Sequence, residues 1–132
     1  MIVLDTHVLL WWATGATESL SAKAKKAIAS ERNSGLIVVS SISAWELAML
    51  VARDRVALAL DTREWLALVA QIDKVTFMPV DNEIALNSVE LPGEFHKDPA
   101  DRLIVATARK LGVPLVTADE KIRAYPHVLT LW

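Results

Sequence analysis

Carboxylic acids recur in this sequence where an apolar, strand-like run gives way to a helix-like one. Asp5 ends the run Ile2-Val-Leu4. Glu46 closes the segment Ser40-Ser-Ile-Ser-Ala-Trp-Glu46, which follows a second apolar run. Asp98 and Asp101 open a long amphipathic stretch, and Asp119 comes two residues after Leu115-Val-Thr117. Three or four carboxylates brought within a few ångströms of each other repel unless a cation offsets them. Hard divalent ions take oxygen ligands, and magnesium commonly combines one or two carboxylates with water and substrate phosphates. The chain has no cysteine and no compact histidine cluster, which argues against zinc. The chemistry that suits such a site is metal-assisted phosphodiester hydrolysis, with magnesium as the ion and manganese as a substitute.

The acids meet only if the elements carrying them share an edge. Apolar runs at 2–4, 36–39, 75–80, 113–117 and 128–131 read as strands. Between them the periodicity predicts helices over 8–13, 20–29, 44–52, 62–72, Asp81 to about Val89, and 102–111. A helical turn is expected at 119–123, and 56–60 reads as a short extended piece. Pro79 cannot donate to a sheet ladder, so its strand lies at an edge or ends near Met78. Strands alternating with helices imply a parallel sheet covered on both faces, with right-handed crossovers. The expected fold is therefore a three-layer α/β/α sandwich with a central five-stranded parallel sheet, formed by residues 1–132 as one domain. In such sheets ligands gather outside the carboxyl ends of the strands. Asp5, Glu46, Asp98, Asp101 and Asp119 all fall at that rim.

Each acid also has a purely structural reading. Ser43-Ala-Trp-Glu46 fits a capping box. Asp98-Pro99-Ala-Asp101 fits a cap, a proline at the first helical position and an acid favoured by the helix dipole. Asp5 and Asp119 each precede a helical segment they would cap. Capping alone, however, does not require the caps to share one end of a sheet.

Composition narrows the setting. The 132 residues are 53% apolar and 23% charged, which is the balance of a globular domain, and only four are glycine, so no glycine-rich phosphate cradle is expected. The net charge of −2 and the lack of a basic tract mean that nucleic acid would be held by metal and a few local cations. No apolar run approaches the roughly 20 residues that span a bilayer. The first residues lack the positive leader of a signal peptide. A soluble, cytoplasmic protein with no membrane partner is the expectation.

Four stretches in the same order and spacing resemble PIN-domain proteins, above all the VapC-type toxins of bacterial toxin–antitoxin pairs. They are Ile2-Val-Leu-Asp-Thr-His-Val-Leu-Leu-Trp11, Ser40-Ser-Ile-Ser-Ala-Trp-Glu46, His96-Lys-Asp-Pro-Ala-Asp-Arg-Leu-Ile-Val-Ala-Thr-Ala108 and Leu115-Val-Thr-Ala-Asp119. The resemblance covers essentially the whole chain and implies a magnesium-dependent endoribonuclease inhibited by a cognate antitoxin. The family's four acids fall on Asp5, Glu46, Asp101 and Asp119, with Asp98 the further aspartate of the His-x-Asp-Pro-x-Asp-Arg segment. Ala100 stands where an aromatic residue is frequent. On this reading Asp5 and Asp101 hold the metal, with Asp119 acting directly or through water and Asp98 as a competing ligand. Glu46 helps bind the metal or orients the attacking water.

Around these acids, Thr6 and Thr117 offer supporting hydroxyls, and His96 could shuttle protons. Arg102 and Lys121 could contact phosphates, although solvated surface charges are the stronger reading of both. Trp11, Trp12, Trp45 and Trp65 could stack on bases, but their apolar settings favour core or interface packing. Two adjacent tryptophans cannot both face one core, so one of Trp11 and Trp12 is expected at a homodimer or antitoxin interface. The alternatives are a non-catalytic PIN-like binding module, or another α/β phosphoryl-transfer or receiver domain. A receiver would need an aspartate ending its third strand, where this chain has Met78-Pro-Val80.

Overall fold

A computed structural model describes all residues, 1–132. Its five strands are β1 (Ile2–Leu4), β2 (Ile37–Ser40), β3 (Val75–Met78), β4 (Leu115–Val116) and β5 (Thr130–Leu131). They form one sheet in the order β3-β2-β1-β4-β5, with every neighbouring pair parallel. The helices are α1 (Thr6–Thr14), α2 (Ala22–Ser34), α3 (Ile42–Ala52), α4 (Thr62–Gln71), α5 (Asn82–Val89), α6 (Pro99–Leu111) and α7 (Glu120–Arg123).

β1 is central because both of its faces are apolar and both find cover. Successive side chains of a strand point to opposite faces. Ile2 and Leu4 accordingly join Ile37, Val39 and Val75 in one core, packed by α1, α2, Leu47 of α3, and Trp65 and Val69 of α4. Val3 joins Val38 and Leu115 in a second core, closed by Ile84 of α5, the apolar face of α6, and Ile122 of α7. Two cores on either side of one sheet are the three-layer sandwich expected from the alternation.

The boundaries differ where side-chain hydrogen bonds decide them. α1 starts at Thr6 because Asp5 caps it, and α2 runs on to Ser34, past the expected end near Ala29. α6 starts at Pro99, the residue after its Asp98 cap. Residues 56–60 join no strand, and a 3₁₀ turn at Thr17–Ser19 was not legible. The Ser43–Glu46 capping box does not form. The N-cap of α3 is Ser41, without a side-chain cap, and Ser43 lies inside the helix with its hydroxyl turned to another partner. β3 is an edge strand that ends at Met78, as Pro79 demands.

Candidate active site at the carboxyl edge of the sheet

Asp5 lies at the topological switch point, where the chain leaves β1 and the strand order reverses between β2 and β4. Its cap role is real: Oδ1 accepts the Thr6 N–H at 2.8 Å. Oδ2 accepts the Thr117 hydroxyl at 2.6 Å, and that hydroxyl oxygen accepts the Asp119 N–H at 3.0 Å. One threonine at the end of β4 thus ties the carboxylate ending β1 to the loop that carries Asp119. Asp119 in turn caps α7 through the Lys121 and Ile122 amides, so its carboxylate is fixed at the rim.

Glu46 arrives by a different link. The Thr6 and Ser43 hydroxyls are 2.8 Å apart and buried, joining the first turn of α1 to that of α3. Residues three apart on a helix share a face, so the bond that holds Ser43 also brings Glu46 toward Asp5. Thr6 thus links Asp5's helix to Ser43, a residue the sequence offered only as a cap, and its hydroxyl also favours the charged form of Glu46.

Asp101 is the acid on which the others converge. Asp98 caps α6 by accepting the Asp101 N–H at 3.0 Å and stays exposed, whereas the Asp101 side chain points inward. Burial, then the charges of Asp5, Asp98, Asp119 and Glu46, push the Asp101 carboxyl up to about 8. Burial also raises the Asp5 carboxyl, against the hydrogen bonds from Thr117 and Thr6. Burial and the neighbouring Asp5 and Asp98 charges raise Glu46. Burial and mutual repulsion thus make the three carboxyls resist ionisation together.

His96 stands over this group, with Nε2 3.0 Å from Asp101 Oδ2. That nitrogen is inaccessible to solvent and has no hydrogen bond of acceptable geometry. Arg102, expected as a solvated charge or phosphate contact, does other work. Its guanidinium donates to the carbonyls of Ser88, Val89, Phe95 and His96 at 2.8–3.3 Å and lies over the Phe95 ring. Those carbonyls consume its donors, so Arg102 fastens the loop bearing His96 to α6. Tyr125 holds the same loop by donating to the Pro92 carbonyl. Lys121 is exposed and lines an open depression with His96, Asp98, Asp101 and Asp119.

The tryptophans separate. Trp65 is core. Trp11 and Trp12 are half-buried at the margin of the same core, Trp11 against Trp132 and Trp12 beneath Arg32. Neither is fully enclosed. Trp45 is 52% exposed, one residue before Glu46.

No three of these acids and histidines converge closely enough to enclose an ion unaided. An all-oxygen donor set with excess negative charge nevertheless fits a hard divalent cation, which keeps several waters and needs only one or two carboxylates. The chemistry available is the positioning and activation of water next to a phosphate.

Comparison with known proteins agrees with this architecture. Over 133 aligned residues the chain is 37% identical to Ribonuclease VapC22 of Mycobacterium tuberculosis, covering 99% of this chain and 98% of that protein. Among solved structures, VapBC2 from Rickettsia felis bound to a promoter DNA fragment superposes with a TM-score of 0.72 at 18% identity, covering 98% and 97% of the two chains. The M. tuberculosis toxin VapC20, described as cleaving the sarcin-ricin loop, superposes with a TM-score of 0.63 at 22% identity, covering 94% of each chain. At those identities the superpositions speak to the fold. The sequence profile of the PIN domain matches residues 2–128. A chain matched by that profile over nearly its whole length, with its acids on one sheet edge, belongs to the PIN domain family.

Proposed function

We propose that this protein is a divalent-metal-dependent endoribonuclease, the toxin of a toxin–antitoxin pair, and that magnesium is its natural ion. The observation that carries the reading is the convergence of Asp5, Glu46, Asp98 and Asp119 on Asp101, a carboxyl that burial and these neighbouring charges push up to about 8. Kinship with a protein named Ribonuclease VapC22 supports RNA as the substrate. When bound, the ion supplies charge neutralisation at the phosphate and activation of a water.

The chain's own residues divide the rest. Asp5 and Asp101 hold the ion, and Asp119 reaches it directly or through water. Thr117 fixes the Asp5 carboxylate by one oxygen, leaving its second lone pair free to ligate. Glu46, less buried than Asp5, orients the attacking water. Asp98 acts as the cap of α6 and adds negative charge. His96 is placed to exchange a proton with the Asp101 side of the site, and Lys121 to meet a backbone phosphate.

The inhibitor on this reading is a protein antitoxin, and the active form is a homodimer in the cytoplasm. The half-buried Trp11 and Trp12 stand ready for either protein contact. No helix is long and apolar enough to cross a membrane.

The test incubates antitoxin-free protein with total RNA, with magnesium and with a chelator, beside an Asp5→Asn variant. Cleavage that needs the metal and vanishes in the variant is the expected result. Equal cleavage by both proteins would sink the site assignment. No cleavage at any metal concentration would favour a non-catalytic binding module.

A further inference from the structure

α3 is apolar almost all round, yet its outer side carries Trp45 into solvent. Beside it a groove of about 340 Å³ runs between α3 and the start of α6. Glu46 and Asp98, two acids of the site, line one part of it. Trp45, Met49 and Leu50 give it apolar lining from α3, Pro99 and Ala100 from α6, and Arg53 and Arg55 line it from the end of α3 and beyond. Seven residues of helix put Arg53 about 10 Å along the axis from Glu46.

The two arginines share the groove because of how α3 ends. The Arg55 N–H donates to the Leu50 carbonyl and the Asp54 N–H to the Val51 carbonyl. Those are the paired bonds of a Schellman motif, which needs a left-handed residue between them. Asp54 supplies it, with φ of 55°. The chain reverses there, and Arg53 and Arg55 end up lining the same groove. Neither forms an ion pair within the protein. The acids of the rim need cations nearby if a polyanion is to approach, and Arg102, next to Asp101 in sequence, is spent on its own loop.

We propose that this groove is a binding subsite for single-stranded RNA next to the hydrolytic rim, with a base stacked on Trp45 and backbone phosphates held by Arg53 and Arg55. The inference rests on the ribonuclease reading and adds to it where the substrate lies. An exposed aromatic face flanked by unpaired guanidiniums matches a base and a phosphate together. A protein partner on the same groove would have to bring acids for the two unpaired cations, whereas a single nucleic-acid strand brings phosphates for the arginines and a base for the Trp45 face together.

The test uses Asp5→Asn protein, so that the probe survives, and a short fluorescein-labelled single-stranded RNA of mixed sequence read by anisotropy. Adding Trp45→Ala is expected to weaken binding about 5- to 100-fold, while Trp45→Phe keeps most of it. Replacing Arg53 and Arg55 together with alanine is expected to flatten the salt dependence of log K by about 1.4, two single-strand phosphate contacts. Trp45 is half exposed, so its variants fold, and their melting temperatures verify this. Unchanged affinity in Trp45→Ala with an unchanged salt slope in the arginine variant overturns the subsite and leaves the nuclease reading intact. A change of sedimentation mass in Trp45→Ala with RNA binding unaltered also overturns it, since the groove is then a protein interface. Failure of the parent protein to bind the RNA at all, with no cleavage by wild type, overturns both.

Discussion

Removing one carboxylate from the rim should stabilise the metal-free protein while ending its activity. In Asp101→Asn the side chain keeps its shape but no longer faces Asp5, Asp98, Asp119 and Glu46 as a fifth charge. The folded protein holds the Asp101 proton to about 8, against an ordinary value of 3.8. A carboxyl of this kind binds protons more tightly folded than unfolded, so stability is fullest at low pH and declines as pH rises from about 4 to 8. At 1.36 kcal/mol per tenfold in proton affinity the full displacement is worth about 5–6 kcal/mol in a closed site. Water at an open rim screens most of this, leaving on the order of 1–2 kcal/mol. The assay is urea unfolding followed by tryptophan fluorescence in the presence of a chelator. Near pH 4 the variant and wild type should match. Near pH 8 the variant should be more stable by that amount, or roughly 3–8 °C in Tm. Magnesium should then close the gap by stabilising only the wild type. A variant less stable than wild type at pH 8 without metal, or a gap that does not grow with pH, would refute the view that these carboxylates repel.

Three further outcomes follow from individual contacts. Thr117→Val removes the donor to Asp5 and the acceptor of the Asp119 amide; metal affinity measured by calorimetry should fall about 10- to 100-fold, with a stability loss of about 1–3 kcal/mol. Arg102→Lys cannot reach four carbonyls with one ammonium, so it should cost on the order of 2 kcal/mol and raise hydrogen exchange across residues 88–96; wild-type protection there would show the clamp to be idle. Asp54→Gly relieves a left-handed aspartate and should be neutral or slightly stabilising in thermal melts, whereas Asp54→Val should cost about 1–2 kcal/mol; equal effects of the two would argue against the Schellman ending.

Much of this was legible in the sequence. The apolar runs announced the strands, Pro79 announced an edge, and the acids at the strand–helix junctions announced a rim. Asp5, Asp98 and Asp119 turned out to be caps and members of the acidic group at once. The two readings do not compete, because in a parallel α/β sheet the junction after each strand is both a helix start and part of the ligand edge. Ser43 and Arg102 were misread because short-range patterns suggest local partners. Ser43 instead bonds a threonine 37 residues away, and Arg102 reaches carbonyls 6 to 14 residues back.

The sequence by itself determined the three-layer fold, since alternating β and α periods with apolar strands admit few other packings. It also determined which end of the sheet carries the acids, since connectivity alone puts every β-to-α junction on one edge. Only the tertiary structure distinguished the surroundings of Asp98 and Asp101. They are three residues apart on one helix start, and what separates them is that one faces solvent and the other faces Asp5, Glu46 and Asp119. It also decided that Trp45, among tryptophans of similar local setting, is the one left open beside the rim. Exposure of that kind depends on what neighbouring elements cover, and no local pattern records it.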